Sequence, residues 1–475
     1  MHTVILGNGI VALTTGFRLA KRAAAGDTIT IVGSKLRNGS ATLAAAAMLN
    51  SFAEVEAGSL ETDIDRYRFE LSRKAAGMWP EFERDLVDGA KMPAADHMDG
   101  PGGLGTFIIN NSAADDLDDE NYDAIAAALE EFKEPFEFVS PKDIPNYLPE
   151  QKYRASRALL IKNEGWYNPR LIVELLDAAL SNFPQVRFVD DNLLRLEARD
   201  GRVDAAHLTS GQTLAGDEYI LATGATTSEI LEASNLGIDV QRVFYGVGVS
   251  IELRSLDAAL VNCIRTPNRG LACGVYAVPY PQAPGIEKDR VIIGASNFIS
   301  PTRYEYGRVT SVESLMKSAM EQINSNLYRA DFVRANIGWR PTSQDTYPLI
   351  GRTSIQNLII ASGTKRDGFH LSPLLSEMIV SLLYRENQDS RLSWFAPERE
   401  VIRSMTRDQA VSKAVRHQIN AAYQHGFAPS KNRMPQQVAQ MYRDAVEKLH
   451  DQVGAHDWGI PPEMLDMYRY GHAKV

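Results

Sequence analysis

Apolar residues along this chain fall into short runs near the amino terminus and at helical spacing just after them. His2–Leu6 (HTVIL) reads as a buried strand, closed by a glycine turn. Val11–Ala25 follows with apolar positions at helical spacing and Arg18, Lys21 and Arg22 on the wet side. Thr28–Val32 (TITIV) is a second strand, so the first third of a hundred residues predicts most of a βαβ unit. Further apolar runs at Phe244–Leu253, Gly274–Val278 and Arg290–Ala295 predict strands of an antiparallel sheet. Beyond residue 397 the pattern is mostly helical, with breaks at Pro429, Pro435 and Pro461–Pro462. The stretch Asp457–Gly471 there is rich in Trp, Met and Tyr.

The turn between the first strand and helix reads G-N-G-I-V-A. Gly7 permits the tight turn, Gly9 admits a pyrophosphate close to the backbone, and Ala12 lets helix and strand pack closely. The N-terminus of the helix presents free N–H groups to the phosphates. A dinucleotide site with a strand before it and a helix after it is therefore expected. A carboxylate closing the second strand would bind the ribose hydroxyls, yet that position holds Gly33. Either Ser34, Lys35 or backbone groups replace it, or Ser34, Lys35 and Arg37 form a pocket for the 2′-phosphate of NADP.

Five further segments, in order, resemble the D-amino-acid oxidase and glycine oxidase superfamily of FAD enzymes, the glycine oxidases most of all. They are Ala41–Glu54, Glu164–Ala179, Glu218–Thr227, Gly338–Arg352 (GWRPTSQDTYPLIGR) and Asn357–Ser372 (NLIIASGTKRDGFHLS). The resemblance implies an α/β fold: a Rossmann-like FAD-binding domain with an inserted antiparallel-sheet substrate domain, plus a helical C-terminal extension. The FAD domain would comprise residues 1–75, 155–235 and 335–396, the substrate domain 76–154 and 236–334, and the extension 397–475. Expected FAD contacts are Gly7, Gly9, Ile10, Ala12, Ser34, Lys35, Thr42, Ala46, Ala47, Met48, Leu193, Thr223 and Gly224, followed by Arg366, Asp367, Gly368, Phe369 and His370 beneath the flavin.

The resemblance also implies the chemistry: oxidation of a small amine or amino acid by hydride transfer to flavin N5, giving an imine. A dehydrogenase of 2-hydroxy acids or polyol phosphates, or a biosynthetic tailoring oxidoreductase, is the alternative. Arg340 stands where the family pairs with a substrate carboxylate, a task suited to a planar guanidinium fork. Tyr276 matches a tyrosine on the sheet facing the substrate, Arg366 stands beside the flavin, and His370 is either a proton acceptor or a core histidine. Asn50 and Phe52 are expected to line the pocket. The strand Val291–Asn297 lacks the lysine that sarcosine-oxidase relatives use to activate oxygen, so O2 or another acceptor reoxidises the flavin.

Composition adjusts this picture little. The 475 residues carry a formal net charge of −10, which disfavours a nucleic-acid partner. Two cysteines, Cys263 and Cys273, show neither metal-ligand spacing nor a disulfide framework, so reduced thiols and no metal are expected. No uninterrupted run of about 18 apolar residues exists to span a membrane, and residues 1–12 carry the nucleotide motif rather than a leader. A cytoplasmic protein is expected, as a homo-oligomer or with a partner bound through the extension. The acidic run Asp115–Asp123 reads as a solvated surface.

Overall fold

A computed structural model of the chain describes residues 1–91, 102–270, 274–280, 289–427 and 432–475. Cys273 and Pro429 lie outside the described residues.

The amino-terminal pattern folds as expected. His2–Leu6 is a strand, Ile10–Arg22 a helix and Thr28–Val32 the next strand. Both strands enter a six-stranded sheet in the order Leu349–Arg352, Leu358–Ser362, Glu218–Leu221, His2–Leu6, Thr28–Val32, Val186–Val189. Successive pairs from Leu358–Ser362 onward are parallel, and Leu349–Arg352 joins the edge antiparallel. The central strands are buried over most of their length, as a sheet covered on both faces requires. A small three-stranded meander, Leu193–Arg199, Arg202–Leu208 and Thr213–Leu214, packs beside this sheet.

The second sheet has ten strands and is antiparallel in most of its pairs. Its longest ladder joins Val243–Arg254 to Asp331–Ser343. Tyr276–Pro279 and Arg290–Gly294 are neighbours in it, close to the expected strands. Cys263–Arg265 pairs parallel to Gly102–Asn110, the exception to the antiparallel pattern.

The boundaries between the two units differ from those expected. Residue 75 falls inside a long helix, Asp63–Ala90, whose Tyr67, Ala75, Trp79, Phe82 and Leu86 all join the core of the nucleotide domain. That apolar stripe packs the helix on the first domain, while its Phe69 joins a cluster with Ile108 and Leu159 of the second sheet. Met48–Leu49 and Arg157–Tyr167, near the expected junctions, belong instead to the second sheet.

The acidic run also differs from expectation. Asp115 caps the helix Asp116–Glu131, while Asp118 turns inward, is 1% exposed and pairs with the equally buried Arg269 at 2.6 Å. Asp116, Asp119 and Asp123 remain on the wet face.

The carboxy-terminal extension is helical where described, with helices Arg407–Gln424 and Met434–Gln452. Thr406 and Gln409 form a capping box that starts the first of them. The extension has a small core of its own, containing Trp458, Met464, Met467 and Tyr468, which also takes in Phe244 of the large sheet. It is pinned at several points. Arg399 pairs with Asp345, Gln344 donates to Tyr468 Oη at 2.8 Å, and Asn420 donates to Asp115 Oδ1 at 2.6 Å. Among the described residues no helix is long and apolar enough to cross a membrane.

Candidate active site

The nucleotide cleft begins at the first turn. Gly7 has φ +123°, and a Cβ there would lie 2.3 Å from the Ala222 carbonyl oxygen, so the turn requires glycine. Gly9 is the N-cap of the helix and offers no side chain to cap it, and the first turn carries no acidic residue. A helix start of this kind leaves backbone N–H groups for an anionic ligand. Ile10 N–H donates to Thr42 Oγ1 at 3.1 Å, which ties the Ala41–Ala44 helix to the turn. Ala12 faces the core rather than the cleft, at 0% exposure, as its packing role requires.

The cleft itself has a volume of about 730 Å³. Of the expected cofactor contacts, Gly7, Gly9, Ile10, Ser34, Thr42, Leu193, Thr223, Gly224, Arg366, Gly368 and Phe369 line it. Phe369 is held in place by stacking on Trp79, with ring centroids 5.0 Å apart.

The position of the absent carboxylate has a steric explanation. A Cβ on Gly33 would meet Asn8 Cγ at 2.4 Å, and Asn8 Nδ2 donates to the Ser34 carbonyl at 2.7 Å. Asn8, the middle residue of the G-N-G turn, thus covers the end of the second strand, and sequence reasoning passed over it. Lys35 does not line the cleft. It is exposed, and its backbone N–H donates to Asp190 at 2.8 Å. Arg37 does line the cleft but is paired with Asp177 at 2.7 Å, so its charge is already neutralised.

Other expected residues lie around the cleft without lining it. Ala46, Met48 and Tyr276 meet in a buried cluster with Trp166, Cys263 and Ala295. Tyr276 lies over Gly294, where a Cβ would come 2.1 Å from its hydroxyl. Ala47 has φ +49° and accepts a backbone bond from Tyr167 at 3.0 Å, fixing the bend before Met48–Leu49. Cys263 is a free, buried thiol whose pKa burial pushes up to about 12.

His370 packs behind the Arg366–Gly368 turn against the long helix. Its Nε2 lies 2.8 Å from the Ser72 carbonyl and 3.0 Å from Ser72 Oγ, and burial pushes its pKa down, which favours the neutral ring. It lines neither cavity described here.

Arg340, on the long strand Asp331–Ser343, does reach the cleft. Its guanidinium lies over Gly248, where a Cβ would come 2.4 Å from Arg340 Cζ. Its Nη1 donates to the Ser296 carbonyl at 3.0 Å and to Asn297 Oδ1 at 3.1 Å. Among the described residues it has no acidic partner at ion-pair distance.

A second cavity of about 530 Å³ adjoins the cleft, and Lys365 and Arg366 line both spaces. Its wall is a network of ion pairs. Glu54 stands between Arg265 at 2.6 Å and Arg366 at 3.6 Å. Burial works to raise the Glu54 pKa, but Arg265 and Arg366 outweigh it and hold the carboxyl below its ordinary value. Asp367 turns to this side, where it pairs with Arg68 at 2.6 Å. Lys365 pairs with Glu463 at 2.5 Å and Lys413 with Glu56 at 3.1 Å. Asn50 lines this cavity, whereas Phe52 packs in the core beneath it. Of these wall residues, Glu54 and Lys365–Asp367 lie within segments singled out in the sequence, and Glu463 lies in the stretch rich in Trp, Met and Tyr. Glu56 and Lys413 had no local signal, and Lys413 and Glu463 are brought here only by the folded extension.

The family model for FAD dependent oxidoreductases, DAO, matches residues 2–382. The chain belongs to this family. A glycine oxidase of Pseudomonas putida is 29% identical over 218 residues, 46% of this chain and 54% of that protein. The chain thus spans about half the length of this curated relative. Among solved structures, glycine oxidase from Geobacillus kaustophilus superposes with TM-score 0.69 at 19% identity, covering 84% of this chain and 99% of its own. Iminodiacetate oxidase from Chelativorans sp. BNC1 gives TM-score 0.68 at 19% identity, covering 83% and 98%.

As a FAD-dependent oxidoreductase, the chain fits its cofactor at the cleft. The uncapped helix start can take the pyrophosphate, and the small residues Gly7, Gly9, Ala44 and Ala45 leave room along the floor. Membership of this family sets aside the NADP reading of Ser34, Lys35 and Arg37. Because the solved relatives are matched over almost their whole length by 83–84% of this chain, about a sixth of it has no counterpart in them. The family match ends at residue 382, so Lys413, His417 and Glu463 lie beyond it.

Proposed function

We propose that this enzyme oxidises the C–N bond of a small carboxylate-bearing amine or amino acid to the imine. The observation that carries this reading is Arg340: a guanidinium lining the cofactor cleft, fixed by two neutral acceptors and matched with no carboxylate among the described residues. An arginine held in this way keeps donors for a bidentate bond to a carboxylate. The two solved relatives named above are a glycine oxidase and an iminodiacetate oxidase, and both of those compounds are carboxylated amines.

In this reading Arg340 anchors the carboxylate and so sets which face of the substrate meets the cofactor. Arg366 is oriented by Glu54 and supplies a second positive charge at the boundary between the two cavities. The amine must be unprotonated to react, and the positive charge nearby favours its neutral form. Bound FAD supplies the hydride acceptor. Anaerobic addition of glycine, sarcosine, iminodiacetate and D-amino acids to the purified holoprotein tests the reading. Loss of flavin absorbance with at least one of them is expected, and an unchanged spectrum with all of them would refute it.

A further inference from the structure

The second cavity is built jointly by the family fold and the extension. From the fold come Asn50, Glu54, Glu56 and the Lys365–Asp367 turn; from the extension come Lys413, His417 and Glu463. Its volume, about 530 Å³, lies within the ordinary range for small-molecule sites. It adjoins the cofactor cleft through Lys365 and Arg366.

The polar atoms of its wall divide into two kinds. The cations have acidic partners: Lys365 has Glu463, Lys413 has Glu56, Arg416 has Glu120 and Arg68 has Asp367, although Arg416 Nη2 is itself buried without a hydrogen-bond partner among the described residues. Three other wall residues each keep a buried acceptor atom with no hydrogen-bond partner among the described residues: Asn50 Oδ1, His417 Nδ1 and Glu463 Oε2. Asn50 and His417 are each only 7% exposed. Two of these atoms can only accept a hydrogen bond. The third belongs to an imidazole that burial holds toward its neutral form, and it accepts when the ring proton sits on Nε2. Buried acceptors without partners are costly, so a wall that keeps three of them beside a cavity is matched to a ligand rich in N–H donors.

We propose that the extension turns this cavity into the distal half of the substrate site, and that the substrate carries a second nitrogen donor, an amine or a carboxamide, remote from the C–N bond that is oxidised. Asn50, His417 and Glu463 would hold that donor group. Arg340 and Arg366 remain at the reacting end. The inference rests on the amine-oxidising reading given above and narrows it. It also assigns the extension a role in selecting substrate rather than in covering the fold alone.

The test uses full-length holoenzyme and two readouts, anaerobic flavin reduction and ligand-induced perturbation of the flavin spectrum. The ligands are ornithine, glutamine and the shorter, apolar norvaline, each as both enantiomers. Ornithine or glutamine should bind on the order of tenfold or more tightly than norvaline, because each satisfies buried acceptors that norvaline leaves bare. Glu463→Gln and His417→Ala, checked for unchanged FAD content, should each lower that preference several-fold. If Glu463→Gln fails to retain FAD, His417→Ala alone decides. Equal binding of norvaline, or an unaltered preference in the FAD-replete variants, would overturn the proposal. Spectral perturbation by ornithine, with no bleaching by it or by any of the amines named above, would sink the amine-oxidising reading while leaving the donor-binding site standing. No perturbation by ornithine or glutamine would remove the site itself.

Discussion

The side chain of Asn8 occupies the space above Gly33 that a carboxylate-bearing residue would need, with a Cβ at Gly33 falling 2.4 Å from Asn8 Cγ. The two positions are therefore coupled: an acid at the end of the second strand requires a smaller residue in the middle of the glycine turn. Restoring the missing acid alone is expected to harm cofactor binding. Gly33→Asp should lower the flavin content of the purified protein, and Gly33→Asp with Asn8→Gly should recover it. Flavin absorbance relative to protein absorbance, before and after gel filtration, checks this. A single variant that retains as much FAD as the wild type would show that Asn8 moves aside freely.

Arg340 leads to a kinetic prediction. If its fork binds the substrate carboxylate, Arg340→Ala removes a charge-assisted pair of about 2–4 kcal/mol in a dry site. That corresponds to roughly 30- to 1,000-fold in apparent substrate affinity. Arg340→Lys should recover only part of the loss, since an ammonium cannot make two parallel bonds. Because Arg340 is fixed by Ser296 and Asn297 rather than by an acid, FAD content should change little. Substrate-dependent flavin reduction rates across a concentration series distinguish these outcomes.

The contrast between these two sites shows what a sequence can reveal. The strand, G-N-G turn and helix form a local unit, and their geometry follows from neighbouring residues. The same holds for the Arg366–Gly368 turn, which follows directly on the strand Leu358–Ser362. Arg340 was legible through its motif, and its strand does carry it to the cleft. Tyr276 was read correctly as a strand residue, but its surroundings depend on the register that sets it opposite Gly294. The second cavity was illegible for a stronger reason. Lys365 and Glu463 are 98 residues apart, and Arg265 and Glu54 are 211 apart. Charges at such separations meet only after the sheets close and the extension folds back. The inward turn of Asp118 was hidden in the same way, since an acidic helix start looks solvated until Arg269 is placed against it.

That buried pair supports a stability prediction. Asp118 and Arg269 are both about 1% exposed, and burial outweighs Arg269 in pushing the Asp118 carboxyl above its ordinary pKa. The pair therefore adds little net attraction, but removing one partner strands the other charge in the interior. Asp118→Ala should cost about 3–5 kcal/mol, and the double variant Asp118→Ala, Arg269→Met should lose less. Asn420 of the extension also donates to Asp118, at 3.3 Å, so the single variant should loosen the extension as well. Denaturant midpoints of the three proteins, with limited proteolysis of the extension, test both effects.

Glu164 makes stability depend on pH in an unusual direction. Its carboxyl accepts from the backbone N–H groups of Ser51, Phe52 and Ala53, at 2.6, 2.5 and 3.3 Å, and so pins the loop that carries Glu54. Burial nevertheless dominates those donors and raises its pKa from 4.5 to about 8. The folded state thus keeps a proton that the unfolded state releases above pH 4.5. Where the folded protein binds more protons, stability falls as pH rises, so this residue's contribution is present in acid and is lost progressively between about 4.5 and 8. Glu164→Gln keeps an acceptor for the same N–H groups but has no proton to lose. Relative to the wild type, the variant should therefore gain thermal stability from pH 5 to about pH 8 and level off between there and pH 9. Melting curves of both holoproteins across that range decide the matter. A difference that stays flat, or that reverses in favour of the wild type at high pH, would mean that the three backbone donors hold the carboxylate charged.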